Sequence, residues 1–215
     1  MQPSELSTVP APSTPLENHR RPECQLCWRA LCICHLKQQQ NNRLRLLIWQ
    51  HPNEARHVKG TARLLHLCLE NSELVIAKSL SADELRRACA LPELSHAALL
   101  YPSSGQGEFT SRLSAQPAAI ACLILIDASW RDSREILRNN PYLLDLPRYA
   151  LQQNYAGQYQ IRKAHKPGQL SSMEAGLYAL QELRPAEIDY AALFKVFAAF
   201  NQFQAQYFQA KEKAP

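Results

Sequence analysis

The chain has 215 residues, with 24 Lys and Arg against 19 Asp and Glu and a formal net charge of +5. That length accommodates one sizeable α/β domain with an appendage, and the longest apolar run, 118–126, is too short to span a bilayer. The opening MQPSELSTVPAPSTP has neither the basic start nor the apolar segment of a secretory signal, so the cytosol is the expected compartment.

Residues 1–19 are rich in Pro, Ser and Thr without apolar periodicity and are expected to be disordered. Residues 20–40 follow as a small cysteine-rich knuckle, and 41–215 as the main domain. In that domain 44–49 (LRLLIW) reads as a strand, and 61–70 as a helix with Leu64, Leu65, Cys68 and Leu69 on one face. Residues 73–77 read as the second strand. Ser81 with Glu84 three residues on is a capping-box start for the next helix. Strands are expected at 96–102 and 118–126, a helix at 130–139 broken by NPYL, and a fifth strand at 148–152. Two helices, 171–183 and 188–211, close the chain. Apolar strands alternating with helices predict an α/β fold: a mostly parallel sheet covered by helices on both faces.

Four of the seven cysteines fall within eleven residues, Cys24, Cys27, Cys32 and Cys34. In a cytosolic chain such a cluster points to metal rather than disulfides. Four thiolates close a tetrahedral structural zinc site; His35 replacing one thiolate, an iron–sulfur cluster, or four unrelated cysteines are the alternatives. Cys68, Cys89 and Cys122 sit alone in apolar patterns and read as core residues.

Charge is uneven. From Arg20 to Arg63 nine Lys and Arg residues face only Glu23 and Glu54, an electrostatic footprint compatible with a phosphate backbone or simply a solvated face. Arg56, Lys59 and Arg63 flank a helix start near Thr61, a candidate anion site. His51, Glu54 and His57 have ligand chemistry at a poor metal spacing. In the loop near 162–166, Arg162, Lys163, His165 and Lys166 form a second basic stretch, and Ser171 or Ser172, with Glu174, caps the following helix.

In an open parallel sheet, ligands bind beyond the carboxyl ends of the strands. Two strand exits carry suitable chemistry: Leu100-Tyr101-Pro102, and Asp127-Ala128-Ser129-Trp130. A carboxylate leaving the core at Asp127 is costly without a partner, so a ligand or a basic side chain is expected there. Capping of the next helix by Asp127 or Ser129 is the alternative.

Together CxxC…CxC, HPNEARHVKGTARLL, LLYP, DASW with NPYL behind it, and YQIRKAHKPGQLSSMEA resemble the DTW-domain family over roughly residues 22–205. The family triplet is usually Asp-x-Thr-Trp; this chain has Ser129 for the threonine and Ala128 where glycine is usual. LSSMEA stands where Ser-Thr-x-Glu-Ala is common. The resemblance implies a SPOUT-like fold with a C-terminal trefoil knot, one of the rare exceptions to unknotted topology. It also implies a tRNA-uridine aminocarboxypropyltransferase that uses S-adenosylmethionine as cosubstrate to modify uridine N3. On that reading Asp127, Ser129 and Trp130 are catalytic, with Asp127 either a base for the N3 proton or a partner of the donor's ammonium, and Trp130 stacking on a base or packing beneath the site. Leu100, Tyr101, Pro102, Ser171, Ser172 and Glu174 hold the donor; Arg56, Lys59, Arg63, Arg162 and Lys163 hold tRNA. A methyltransferase and a non-catalytic zinc-bearing RNA-binding protein are the competing functions.

Overall fold

In a computed structural model of the chain, the described residues are 23–101, 116–157, 169–184 and 188–212. Five strands, β1 (Arg45–Gln50), β2 (Ser72–Ile76), β3 (Ala97–Leu100), β4 (Cys122–Asp127) and β5 (Arg148–Tyr149), form one sheet in the order β2-β1-β4-β3-β5. Every ladder is parallel. The helices are α1 (Ala62–Cys68), α2 (Ala82–Cys89), α3 (Trp130–Asn139), α4 (Ser172–Leu183) and α5 (Ala191–Glu212).

Alternation along the strands divides the core in two. Leu46, Ile48, Leu123 and Leu125 pack against α1, α4 and α5 on one face. Leu47, Trp49 and Ile124 meet Leu85 and Cys89 of α2 and Ile136 and Leu137 of α3 on the other. The helix-covered parallel sheet read from the strand pattern is therefore present, and Cys68, Cys89 and Cys122 are buried in it. At Gly176 a Cβ would lie 2.7 Å from Leu65 Cδ2, so glycine permits the close approach of α4 to α1.

Two strand expectations need correction. The strand predicted at 118–126 begins only at Cys122, because Pro117–Ala119 form a 3-10 turn; proline has no N–H to give to a ladder. The strand predicted at 148–152 contracts to two residues. Beyond it the backbone N–H groups of Gln152 and Gln153 donate to the Glu182 carboxylate instead of to a strand.

The knuckle is packed onto the sheet domain: Cys27 and Ile33 are buried in the core shared with β1, α1 and α5. The segments 1–22, 102–115, 158–168 and 185–187 lie outside the described residues, and the described residues do not establish the expected trefoil knot. No helix among the described residues is long and apolar enough to cross a membrane.

Topology marks a candidate position for a ligand. The chain leaves β1 through α1 on one face and leaves β4 through α3 on the other. The connections therefore diverge between β1 and β4, a topological switch point of the kind where open α/β sheets bind ligands. Gln50 and Asp127 are partners in the last row of that ladder.

Candidate active site and cysteine knuckle

Asp127 ends β4 with 6% of its surface exposed, and both carboxylate oxygens are engaged. Oδ2 accepts from Gln50 Nε2 at 2.7 Å, and Oδ1 accepts from the Ser172 hydroxyl. The partners are neutral donors rather than a basic side chain. They satisfy one lone pair on each oxygen, so the carboxylate retains acceptor capacity. The sheet and the first turn of α4 thus meet at one acid.

Ser171 and Glu174 serve α4 itself. Glu174 N donates to Ser171 Oγ at 3.2 Å and Ser171 N to Glu174 Oε2 at 2.8 Å, a complete capping box. Ser172, next in sequence, turns to Asp127. Ser129 caps α3 by accepting from Asp132 N at 3.1 Å, the alternative that the sequence had left open. Trp130 is 54% exposed and meets Tyr101, at the end of β3, edge to face with ring centroids 6.1 Å apart. The Arg148 guanidinium lies 4.8 Å from the Tyr101 ring centre. Leu100 is buried in the strand. Pro102, Arg162, Lys163, His165 and Lys166 lie outside the described residues.

His51, Glu54 and His57, whose spacing is poor for a metal, are not the set the fold gathers at His51 among the described residues. His51 is fully buried and lies 3.8 Å from carboxylate oxygens of both Asp132 and Glu135 on α3. Asn53 N donates to His51 Nδ1 at 3.2 Å, while the buried Nε2 has no hydrogen-bond partner among the described residues and lies 3.8 Å from Glu135 Oε2. Burial pushes the Asp132 carboxyl up, but hydrogen bonds from Ser129, Asn53 and Arg131 and the nearby His51 outweigh it and lower it. Sequence reading missed this cluster because its members are some eighty positions apart. Histidine and acids in a helix start gave the only signal.

The expected anion site near Thr61 is closed by packing. Thr61 is buried and its hydroxyl accepts from Met173 N at 3.1 Å, joining α1 to α4. Arg63 reaches back to the knuckle: its guanidinium donates to Leu26 O at 3.0 and 2.6 Å and lies 3.6 Å from the Trp28 ring centre. Arg29 reaches the opposite way, donating to the carbonyls of Val58 and Gly60 and lying over the Phe200 ring. Arg56 is exposed and Lys59 half-buried on the connection between.

The four knuckle cysteines place their sulfurs within 4.8 Å of one another, and Cys24 and Cys34 are 3.7 Å apart. Tetrahedral zinc with Zn–S near 2.3 Å requires sulfurs about 3.8 Å apart, so these residues fit that ion. His35 instead packs edge-on against Phe203, 5.1 Å between ring centres. The Cys34 N–H points at Cys32 Sγ at 3.5 Å. Backbone hydrogen bonds at Cys27 and Leu26 bring the Cys24 thiol down to about 6, whereas burial pushes Cys27 and Cys34 up.

Between the knuckle, the β1–α1 connection and α5 lies a cavity of about 150 Å³. Its lining includes Trp28, Arg29, Arg56, Arg63, Tyr207 and, on the side of the sheet, Gln50.

Fold and site together define a doubly wound α/β protein with a buried acid at the β1–β4 switch point and a four-cysteine cluster that could hold a metal ion. Residues 21–205 match the DTW domain, and the chain belongs to that family. It is 26% identical over 194 residues to tRNA-uridine aminocarboxypropyltransferase 2 of Macaca fascicularis, covering 87% of this chain and 65% of the relative. It is 28% identical over 201 residues to the protein of the same name from Mus musculus, covering 90% and 67%. With the Drosophila melanogaster protein of that name it shares 29% over 179 residues, covering 78% and 69%. The chain thus spans about two thirds of the length of these relatives. No solved structure matches it.

Proposed function

We propose that this protein transfers the 3-amino-3-carboxypropyl group of S-adenosylmethionine to N3 of a uridine in tRNA. The observation that carries the reading is the Gln50–Asp127–Ser172 cluster at the switch point, in a chain whose relatives bear the name of that activity. S-adenosylmethionine supplies a sulfonium-activated carbon chain, and methylthioadenosine leaves when the γ-carbon is attacked.

The chain's own residues orient and deprotonate. N3 of uracil carries a weakly acidic proton, and a carboxylate held out of water is a competent base for it. Gln50 and Ser172 fix the Asp127 carboxylate to a narrow set of orientations, which favours one line of approach. Tyr101 and Trp130 offer an aromatic wall beside the strand ends, chemistry that suits the adenine of the donor. Main-chain groups around Leu100 and Tyr101, with Pro102, are the proposed donor contacts. Ser171 and Glu174 act there indirectly, by holding the start of α4 and so the Ser172 hydroxyl. Ser129 does the same for Trp130 by capping α3. Arg56, Lys59, Arg162 and Lys163 are proposed to face tRNA phosphates. Arg63 contributes by fastening the knuckle, and Cys24, Cys27, Cys32 and Cys34 are proposed to hold a structural zinc ion.

The test is to incubate the protein with unmodified tRNA and S-adenosylmethionine and identify the nucleosides by mass spectrometry. A uridine heavier by the aminocarboxypropyl group, with methylthioadenosine released, is the expected product. A methylated nucleoside with S-adenosylhomocysteine would replace this reading with a methyltransferase, and no change in the tRNA would reject both.

A further inference from the structure

The cavity under the knuckle has a role that the transfer chemistry leaves unassigned. At about 150 Å³ it is smaller than the roughly 300 Å³ at which pockets for drug-sized ligands begin. It suits one planar ring. Its walls are made by three separate pieces of chain that hydrogen bonds hold in place. Arg29 and Gln204 both donate to the Val58 carbonyl, Arg29 also to that of Gly60, and Arg63 to that of Leu26.

The mouth of the cavity carries large side chains that face solvent. Trp28 (36% exposed), Tyr207 (37%) and Val58 (59%) are large apolar side chains facing solvent around one opening. Trp28 adopts a left-handed backbone, φ 57°, a conformation an L residue holds only when its surroundings impose it. The turn that imposes it is the knuckle: Trp28 N donates to Cys24 O at 2.7 Å and Cys24 N to Arg29 O at 2.9 Å. Arg63 lies against the indole, polarising an already electron-rich ring. Three arginines line the cavity against Glu23 and Glu54, and the neighbouring Lys59 adds to the positive side. Aromatic rings interleaved with basic side chains are the chemistry that holds single-stranded nucleic acid.

Position adds the last element. Gln50 lines this cavity and also donates to Asp127. Whatever occupies the cavity is one side chain from the candidate base. N3 lies on the pairing edge of uracil, so the reaction needs an unpaired base withdrawn from its stack.

We propose that this cavity receives an unpaired nucleobase of the substrate RNA, with Trp28 as the stacking platform and Arg56 on the flanking phosphate. The proposal rests on the reading of the protein as a tRNA-modifying enzyme. It assigns the knuckle, beyond metal-held stability, a part in substrate recognition.

The experiment uses the full chain with its metal. Affinities are measured for a short oligouridylate and for an abasic oligomer of equal length and charge, with the wild type, Trp28→Ala and Trp28→Phe. The wild type is expected to prefer the base-bearing oligomer roughly tenfold or more, the size of one stacking contact. Trp28→Ala should lose that preference and Trp28→Phe keep most of it. S-adenosylmethionine affinity and metal content should be unchanged in both variants. Equal wild-type binding of the two oligomers would overturn the proposal, leaving only phosphate contacts. So would an undiminished preference in Trp28→Ala. Should Trp28→Ala lose its metal, Trp28→Leu, which keeps apolar bulk beside Arg63 but has no aromatic face, takes its place with the same criterion. Failure of the transferase reading is separately visible, as absence of modified uridine from wild-type reactions in which the base preference persists.

Discussion

Gln50 at the end of β1 donates through Nε2 to Oδ2 of Asp127 at the end of β4, at 2.7 Å. The two residues are also paired in the ladder, so the amide cannot drift from the acid without the sheet ending earlier. The Ser172 hydroxyl completes the arrangement from α4. An acid held in this way can be altered in charge without being altered in shape.

Asp127→Asn is the variant that separates those properties. Its carbonyl oxygen still accepts from Gln50 and its amide donates to the Ser172 oxygen, so the fold is expected to survive. Loss of the basic group should lower turnover about 100-fold or more, with tRNA affinity within a few-fold of wild type. Steady-state kinetics beside a tRNA-binding titration decide it, and near-normal turnover would remove Asp127 from proton transfer. Asp127→Ala is a poorer probe, since it strands the buried Gln50 amide, at about 1–3 kcal/mol, and the half-buried Ser172 hydroxyl.

Ser129 tests whether a motif hydroxyl is catalytic or structural. Its oxygen caps α3. Ser129→Ala is expected to lower unfolding stability by about 1 kcal/mol and to leave turnover per folded molecule within a few-fold, whereas Ser129→Asp should restore stability. A collapse of turnover with unchanged stability would give the hydroxyl a chemical role.

The knuckle should carry metal. Replacing Cys24 and Cys27 together by serine is expected to remove one zinc per chain by elemental analysis. Because Cys27 and Ile33 belong to the core shared with β1 and α5, the loss should also lower the melting temperature. Equal zinc in variant and parent would reject the site.

Glu182 governs an alkaline limit. It accepts from Tyr149 Oη at 2.7 Å and from Tyr155 Oη at 3.0 Å, besides the two backbone N–H groups. Burial and then Glu182 push the Tyr155 phenol up to about 12, and Tyr149 upward as well. An unfolded tyrosine ionises near pH 10. The stability Tyr155 contributes in this way is therefore complete below about pH 10 and is lost as pH rises through about 12, and that of Tyr149 changes in the same direction. Glu182→Gln should lose about 1–2 kcal/mol at about pH 8, with the gap to wild type narrowing above about pH 10. Urea unfolding at the two pH values checks the sign.

Much of the molecule is legible in the chain itself. Strand and helix order follow from apolar periodicity, and α3 runs over the residues the pattern gave, 130–139. The capping boxes at Ser81 and Ser171 are local, spelled by residues three apart, and both are formed. Asn140 shows where legibility ends. In the sequence it opens a break after a helix. In the structure it is fully buried, donating to the carbonyls of Ile136 and Lys78 and accepting from Ser79 Oγ and Leu80 N, so that it ties α3 to the segment before α2. Nothing near Asn140 in the chain announces those partners.

What the sequence alone determined is whatever depends on neighbours in the chain: the period of the strands, the caps of the helices, the cysteine spacing that can enclose a tetrahedral ion, and the exit of an acid from a buried strand. Only the tertiary structure decided who faces that acid. Gln50, Asp127 and Ser172 are separated by 77 and 45 positions; the order of strands in the sheet brings the first two into one row, and the packing of α4 on the sheet brings the third to them. Side-chain partnership across such distances is set by sheet register and helix packing. These come from burying apolar surface over the whole domain, a sum to which every element contributes and which no single motif spells out.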